Sequence, residues 1–200
     1  MYRIILASES PRRKEIMEMM GIHFEIMSSN AVEVVTGTEP EEIVQALARQ
    51  KACEIATRVE ENKELDTIIL GADTMVFHHD IAMGKPKDES DAKQMIQSLA
   101  NDSHMVFTGV SVIIKKRSGE EKILSFAVGT KVVVRPMTEE QISDYVATKE
   151  PMDKAGGYGI QGKFGIYIKE IIGDYYNVVG FPIAKIYEVL LTEGINLLKI

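Results

Sequence analysis

The stretch Ile4-Ile5-Leu6-Ala7-Ser8-Glu9-Ser10-Pro11-Arg12-Arg13-Lys14-Glu15-Ile16-Met17-Glu18-Met19-Met20-Gly21 holds, in order, a short apolar run, a polar loop and a helical pattern. Ile4–Leu6 reads as a strand. Pro11 suits the first turn of a helix, where its missing N–H breaks no bond, and Gly21 suits the end of one. A strand passing through a short loop straight into a helix opens an α/β fold. Ser8 or Ser10 can cap the helix. The loop aims free backbone N–H groups, two hydroxyls and the guanidiniums of Arg12 and Arg13 at one place. That suits an anion, most naturally a phosphate. Taken alone, the same residues also describe a capped surface helix with solvated arginines.

Outward from this stretch the alternation continues. Residues 23–28 read as a second strand. Thr38-x-x-Glu41 is a capping-box pattern, with Pro40 in the first turn, for a helix to about residue 61. Thr67–Leu70 is a continuous apolar run, as in a buried central strand. Met75–His78 and Ile81–Met83 flank His79-Asp80 as a hairpin. Residues 89–100 read as a helix, and 104–116 and 121–135 as two long strands joined by Arg117–Glu120. Thr138-x-x-Gln141 caps a helix to about residue 148. A glycine-rich segment, 153–165, precedes a strand at 164–171, a turn at Gly173-Asp174 and a last helix from near Pro182. Crossovers early and hairpins later predict an α/β fold with a mixed sheet and flanking helices.

Bulk properties narrow the function. Two hundred residues without repeat, linker or low-complexity tract suit a single domain over 1–200. A formal net charge of −7 argues against a protein that holds nucleic acid by an electrostatic footprint. Cys53 is alone, so no intrachain disulfide or cysteine cage can form, and a reducing compartment fits. No apolar run approaches the ~20 residues that span a bilayer. Together these predict a cytoplasmic protein with no membrane partner.

Several residues could carry chemistry. Asp73, in Gly71-Ala72-Asp73-Thr74, is expected just past the carboxyl end of strand 67–70, where open α/β sheets collect ligands. A carboxylate there can hold Mg²⁺ or take a proton from water, or it can close an Asx turn. Lys51 interrupts the apolar stripe Ile43, Leu47, Ile55, so it needs a partner, a phosphate or a structural carboxylate. Lys85, held extended by Pro86, is a third candidate cation or part of a plain turn. Glu33 is a second candidate carboxylate for a metal. In Asp153–Gly162, four glycines within seven positions imply a backbone pressed against something, and Gln161 can donate and accept as a nucleobase edge requires. A flexible loop would read the same way. Cys53 and the methionines suit core packing. His78 and His79, adjacent in a predicted strand, should point to opposite faces and fail to chelate one metal.

The ordered set Leu6–Arg13 (LASESPRR), Lys51, Gly71–Thr74 (GADT), Gly84–Pro86 (GKP), Thr108-Gly109, Asp153–Gly162 (DKAGGYGIQG) and Val178–Pro182 (VVGFP) resembles the Maf family of nucleoside triphosphate pyrophosphatases along almost the whole chain. The resemblance implies a fold of two lobes around a cleft, similar to that of inosine triphosphate pyrophosphatases. It implies cleavage of the α–β phosphate bond to a nucleoside monophosphate and pyrophosphate, with Mg²⁺ or Mn²⁺ as cofactor, and it suggests a homodimer. Tyr158–Gly162 looks like the dTTP/UTP branch, with modified pyrimidine nucleotides as further candidates. By position, Asp73 matches the general base, and Arg12, Thr74 and Gln161 match residues tied to substrate selection. Ser8, Arg13, Lys51 and Lys85 match the family's polar cleft, with Ser10 in the same loop and Glu33 beside it. Asp73 and Glu33 are then the expected metal carboxylates, and Asp73, Lys51 and Lys85 the expected catalytic groups. The alternative is a nucleotide-binding regulator of cell division or septum formation. A nucleic-acid phosphodiesterase is disfavoured by the acidic balance and the absence of Trp.

Overall fold

β1 (Tyr2–Leu6) buries Ile4, Ile5 and Leu6 and runs parallel to the first part of β3 (Asp66–His78), pairing Tyr2 with Asp66 through Leu6 with Leu70. On its other side it pairs, also in parallel, with β2, which spans only Glu25–Ile26 rather than the expected 23–28. From Val76 onward β3 pairs antiparallel with β4 (Ile81–Met83). With β5 (Ser103–Lys115), β6 (Glu121–Val134) and β7 (Ile168–Ile172), the strands form a seven-stranded mixed sheet in the order β2-β1-β3-β5-β6-β7, with β4 on β3. The fold is thus the predicted mixed α/β. This computed structural model describes residues 2–60 and 64–200. Among them no helix is long and apolar enough to cross a membrane.

The chain divides into two compact units. Unit 1 comprises Met1–Asp73, Thr108–Val128 and Gly180–Ile200, and unit 2 comprises Thr74–Phe107 and Gly129–Val179. In unit 1, α1 (Pro11–Met19) buries Ile16 and Met17. α2 (Pro40–Arg58) buries Val44, Leu47, Ala48, Ala52, Ile55 and Ala56, an i, i+3, i+4 stripe. Ile55, Ala52 and Val59 pack with Ile5, Ile69 and Ile113 from the strands. The two alanines are small for a reason: a Cβ on Gly71 of β3 would lie 2.6 Å from the Ala48 carbonyl and 2.8 Å from Ala52 Cβ. On Gly109 of β5 it would lie 2.1 Å from the Val44 carbonyl. α6 (Ile183–Thr192) follows Pro182, as expected.

Unit 2 has its own core of Val76, Ile96, Leu99, Val106, Val132, Val134, Ile142, Tyr145, Tyr158 and Phe164. It contains α3 (Glu89–Leu99), α4 (Glu139–Ala147) and the unpredicted short α5 (Tyr175–Val179). The capping box at Thr138 and Gln141 forms on both sides. The one expected at Thr38 does not. α2 starts at Pro40 with Glu39 as its cap residue, so Thr38 stands one position too early, and its N–H donates to Glu42 instead. α2 ends at Arg58, and the predicted end near residue 61 falls outside the described residues. The strand expected at 164–171 begins only at Ile168, because Lys163–Tyr167 winds into a 3₁₀ turn.

Candidate functional site

Chain direction and strand register build the site in unit 1. β1 stops at Leu6, the Ala7 N–H still donates to the Leu70 carbonyl, and residues 7–10 then leave the sheet for α1. β3 runs on. Asp73 therefore does not lie past the end of its strand, as the sequence suggested. It lies within β3, beyond the part that pairs with β1, because β4 takes over as neighbour from Val76.

In the loop, the buried Ser8 Oγ accepts from the Ser10 N–H at 3.2 Å and from the Arg13 guanidinium at 2.9 Å. Ser10 is the cap residue of α1, but its side chain makes no capping bond, which corrects the expected cap. Arg13 also donates through Nε to the Gly180 carbonyl at 2.8 Å. Burial lowers Arg13 to about 10. The Asp73 carboxylate opposes that fall and the neighbouring Arg12 adds to it. The guanidinium stays charged at neutral pH all the same.

Lys51 reaches from α2 to two carboxylates, Asp73 Oδ1 at 2.5 Å and Glu33 Oε1 at 2.9 Å. Its interruption of an apolar stripe is thereby explained, and carboxylates are the partner found. The side chains of Lys51 and Asp73 are 19% and 14% exposed, against 54% for Glu33 on its loop. Unit 1 thus brings Ser8, Arg13, Lys51, Asp73 and Glu33 together, with Arg12 and Ser10 alongside. It gathers three cations, the guanidiniums of Arg12 and Arg13 and the Lys51 ammonium, with two carboxylates, Asp73 and Glu33. Such an array can hold an anion beside a proton acceptor.

Thr74, Lys85 and Gln161 belong to unit 2. Thr74 follows Asp73 on β3. Lys85 is exposed in the segment between β4 and α3, with Pro86 buried beside it. Gln161 is exposed on a turn. The glycines around Gln161 are pressed against something, as expected, and the partners are the chain's own residues. A Cβ on Gly162 would lie 2.1 Å from Glu150 Oε1, and one on the left-handed Gly156 (φ +69°) 3.0 Å from Val76. Glu150 organises this loop. It accepts from the Lys163 N–H at 3.0 Å and from the Tyr145 hydroxyl at 3.1 Å. No sequence signal marked Glu150, since its partners stand on both sides of it and form no spacing motif. Gly180, which anchors Arg13, lies in the VVGFP motif, but the role of its backbone carbonyl was hidden.

The expectation that His78 and His79 diverge is overturned. His79 (φ 49°) and Asp80 (φ 63°) form a left-handed two-residue hairpin turn, so the strand's alternation ends at His78. Both imidazoles reach Asp102 Oδ2, at 3.0 and 3.1 Å.

The family model described as Maf-like protein matches residues 3–193. A dTTP/UTP pyrophosphatase of Lachnoclostridium phytofermentans is 49% identical over 100% of this chain and 99% of its own. One from Agathobacter rectalis is 44% identical, covering 98% of this chain and 100% of its own. One from Bacillus cereus is 48% identical, covering 93% of each. Among solved structures, the Staphylococcus aureus Ham1 protein aligns with 96% of this chain and 99% of its own at 14% identity and a TM-score of 0.45, too slight a likeness to support an inference.

Proposed function

The chain belongs to the Maf family, and from that premise we propose that it is a nucleoside triphosphate pyrophosphatase acting on dTTP and UTP, with modified pyrimidine triphosphates as further substrates. The observation that carries the reading is the array in unit 1, where Arg13 and Ser8 face the Asp73–Lys51–Glu33 group.

A triphosphate brings about four negative charges. Arg12, Arg13 and Lys51 offset them, and the backbone N–H groups before α1 add fixed partial charge. Arg13 is already oriented by Ser8 and Gly180, so little ordering is left for substrate binding. Lys51 neutralises part of the charge of Asp73 and Glu33, which lowers their repulsion of an anionic ligand. Asp73 accepts the proton of the water that attacks the α-phosphorus, and the α–β bond breaks with pyrophosphate as leaving group. For Thr74, Lys85 and Gln161 the support is the family resemblance alone: Thr74 and Gln161 select the base, and Lys85 neutralises phosphate charge.

Two carboxylates meeting at one cation offer hard oxygen donors, and these fit Mg²⁺ or Mn²⁺ held by Asp73 and Glu33. When bound, such an ion supplies Lewis acidity to a phosphoryl oxygen. A homodimer and a cytoplasmic setting belong to the same reading.

The test is pyrophosphate release from a panel of triphosphates that includes 7-methyl-GTP, with and without Mg²⁺ or Mn²⁺. We expect metal-dependent release from dTTP and UTP. Release from 7-methyl-GTP alone would keep the reaction and reject the pyrimidine assignment. Asp73→Asn should lower kcat by about 10²–10⁴-fold while nucleotide binding persists. A near-normal kcat would remove Asp73 as the base and reopen the regulatory alternative.

A further inference from the structure

His78, His79 and Asp102 lie outside the array of unit 1 and have no part in the proposed reaction. All three belong to unit 2. One ligand atom from each, an imidazole nitrogen of either histidine and a carboxylate oxygen, falls within 4.8 Å of the others. Both imidazoles converge on the same oxygen, Asp102 Oδ2, at 3.0 and 3.1 Å. The other oxygen, Oδ1, accepts from the Ser103 N–H at 2.7 Å, which fixes the carboxylate plane. The His78 side chain is only 10% exposed, whereas His79 at 71% leaves the group open to solvent.

The backbone makes this convergence possible. His78 closes β3, paired with Ile81 of β4, and the left-handed turn at His79-Asp80 swings the second ring round, with the two ring centroids 4.0 Å apart. Asp102 is presented at the start of β5 after Asn101, itself left-handed (φ 61°). The Asp102 carbonyl is tied to the Val134 N–H, so the carboxylate's backbone is pinned.

We propose that His78, His79 and Asp102 bind a divalent transition-metal ion of the zinc class. A tetrahedral ion with bonds of about 2.0–2.1 Å separates its ligand atoms by about 3.3 Å. The two nitrogen–oxygen separations observed are a few tenths of an ångström shorter, so the ligands open slightly to admit the ion. The exposed His79 ring is the one free to move. Two imidazoles and one carboxylate suit Zn²⁺, Co²⁺ or Ni²⁺ and suit Mg²⁺ poorly, so this site is chemically distinct from the all-carboxylate pair Asp73 and Glu33. Three protein ligands leave one position for water. The Ser103 N–H on the distal oxygen is the outer hydrogen bond that such carboxylate ligands need. A bound ion clips the β3–β4 turn to the start of β5.

The test is calorimetric titration of Zn²⁺ into the chelator-stripped full chain carrying Asp73→Asn and Glu33→Gln, which removes both competing carboxylates. One Zn²⁺ per chain is expected. Adding His79→Asn, a residue that tolerates the left-handed turn, should weaken binding by about tenfold or more without lowering the melting temperature measured in chelator. Absence of Zn²⁺ uptake, or equal uptake with His79→Asn, overturns the proposal. Paramagnetic Co²⁺ added to the unsubstituted protein gives an independent reading: the imidazole signals of His78 and His79 shift while that of His23 does not. Unmoved His78 and His79 signals also overturn it.

Discussion

Arg13 uses two different nitrogens for two different acceptors, the Ser8 hydroxyl and the Gly180 carbonyl. A lysine keeps the charge but offers one compact ammonium where the fork spans two partners. Arg13→Lys should therefore lose one anchor and misplace the cation. We expect kcat/KM for dTTP to fall by about 10–100-fold, a loss of about 1.4–2.8 kcal/mol in transition-state binding. An Arg13→Lys enzyme with wild-type kcat/KM would show that charge, not the fork, matters. Arg13 could be read from sequence because arginines after a strand–loop–Pro pattern announce an anion site. Lys51 was legible for the opposite reason, since it breaks a periodic apolar stripe. Its partners were not, because Glu33 and Asp73 stand 18 and 22 residues away on either side and only the fold brings them to one ammonium. Glu150 left no trace, and Gly180 stood in the VVGFP motif without any sign of its role, since a carboxylate that serves backbone N–H groups and a carbonyl that serves a guanidinium have no residue pattern of their own.

Elements were readable where local chemistry decides them. Thr138 with Gln141 caps α4 because both partners fall at the required offsets, and Pro182 precedes α6. Thr38 shows the limit: the motif was present, but Pro40 moved the helix start and left the threonine outside it. β3 shows another. Its sequence changes character at Gly71, so the apolar run appears to end at Leu70, yet the strand continues to His78 because a new neighbour, β4, takes up its hydrogen bonds. Gly71 and Gly109 mark where α2 lies against β3 and β5, with backbone rather than a flexible side chain in the way. Gly109→Ala would put its Cβ 2.1 Å from the Val44 carbonyl, so helix and strand must part. We expect a loss of about 2–3 kcal/mol in urea unfolding. Gly84→Ala, with nothing within 4 Å of its Cβ, should stay within about 0.5 kcal/mol of wild type. Equal stability of the two variants would reject the close approach of α2.

The division into two units has no signature in composition, because no linker separates them. β3, β5 and β6 each contribute residues to both, so three of the four crossings between units lie inside strands, where no turn or linker pattern marks them, and the fourth lies between α5 and α6. What distinguishes unit 2 is its aromatic core, with Tyr145 and Tyr158 packed on Phe164 at ring separations of 5.1 and 4.7 Å. That core has a consequence for the stability of the molecule as a whole. Burial drives both tyrosines far above their ordinary value near 10, with Glu150 adding to the shift at Tyr145. Above pH 10 the unfolded chain sheds these protons and the folded chain keeps them. The folded state then binds more protons, so stability must fall as pH rises, by up to about 1.4 kcal/mol per pH unit for the fully enclosed Tyr158 and by less for Tyr145. Below pH 10 both states hold the protons and the effect vanishes. Tyr158→Phe removes one of the two slopes. It also removes the hydrogen bond between the Tyr158 hydroxyl and His104 Nε2, 2.7 Å apart and buried, which costs about 1–2 kcal/mol at neutral pH. The variant should therefore be the less stable protein at pH 8 and close the gap between pH 10 and 11. Denaturant unfolding across that range measures both slopes. Parallel curves for wild type and Tyr158→Phe would show that Tyr158 reaches solvent and ionises in the folded state, which the packing of Phe164 against it forbids.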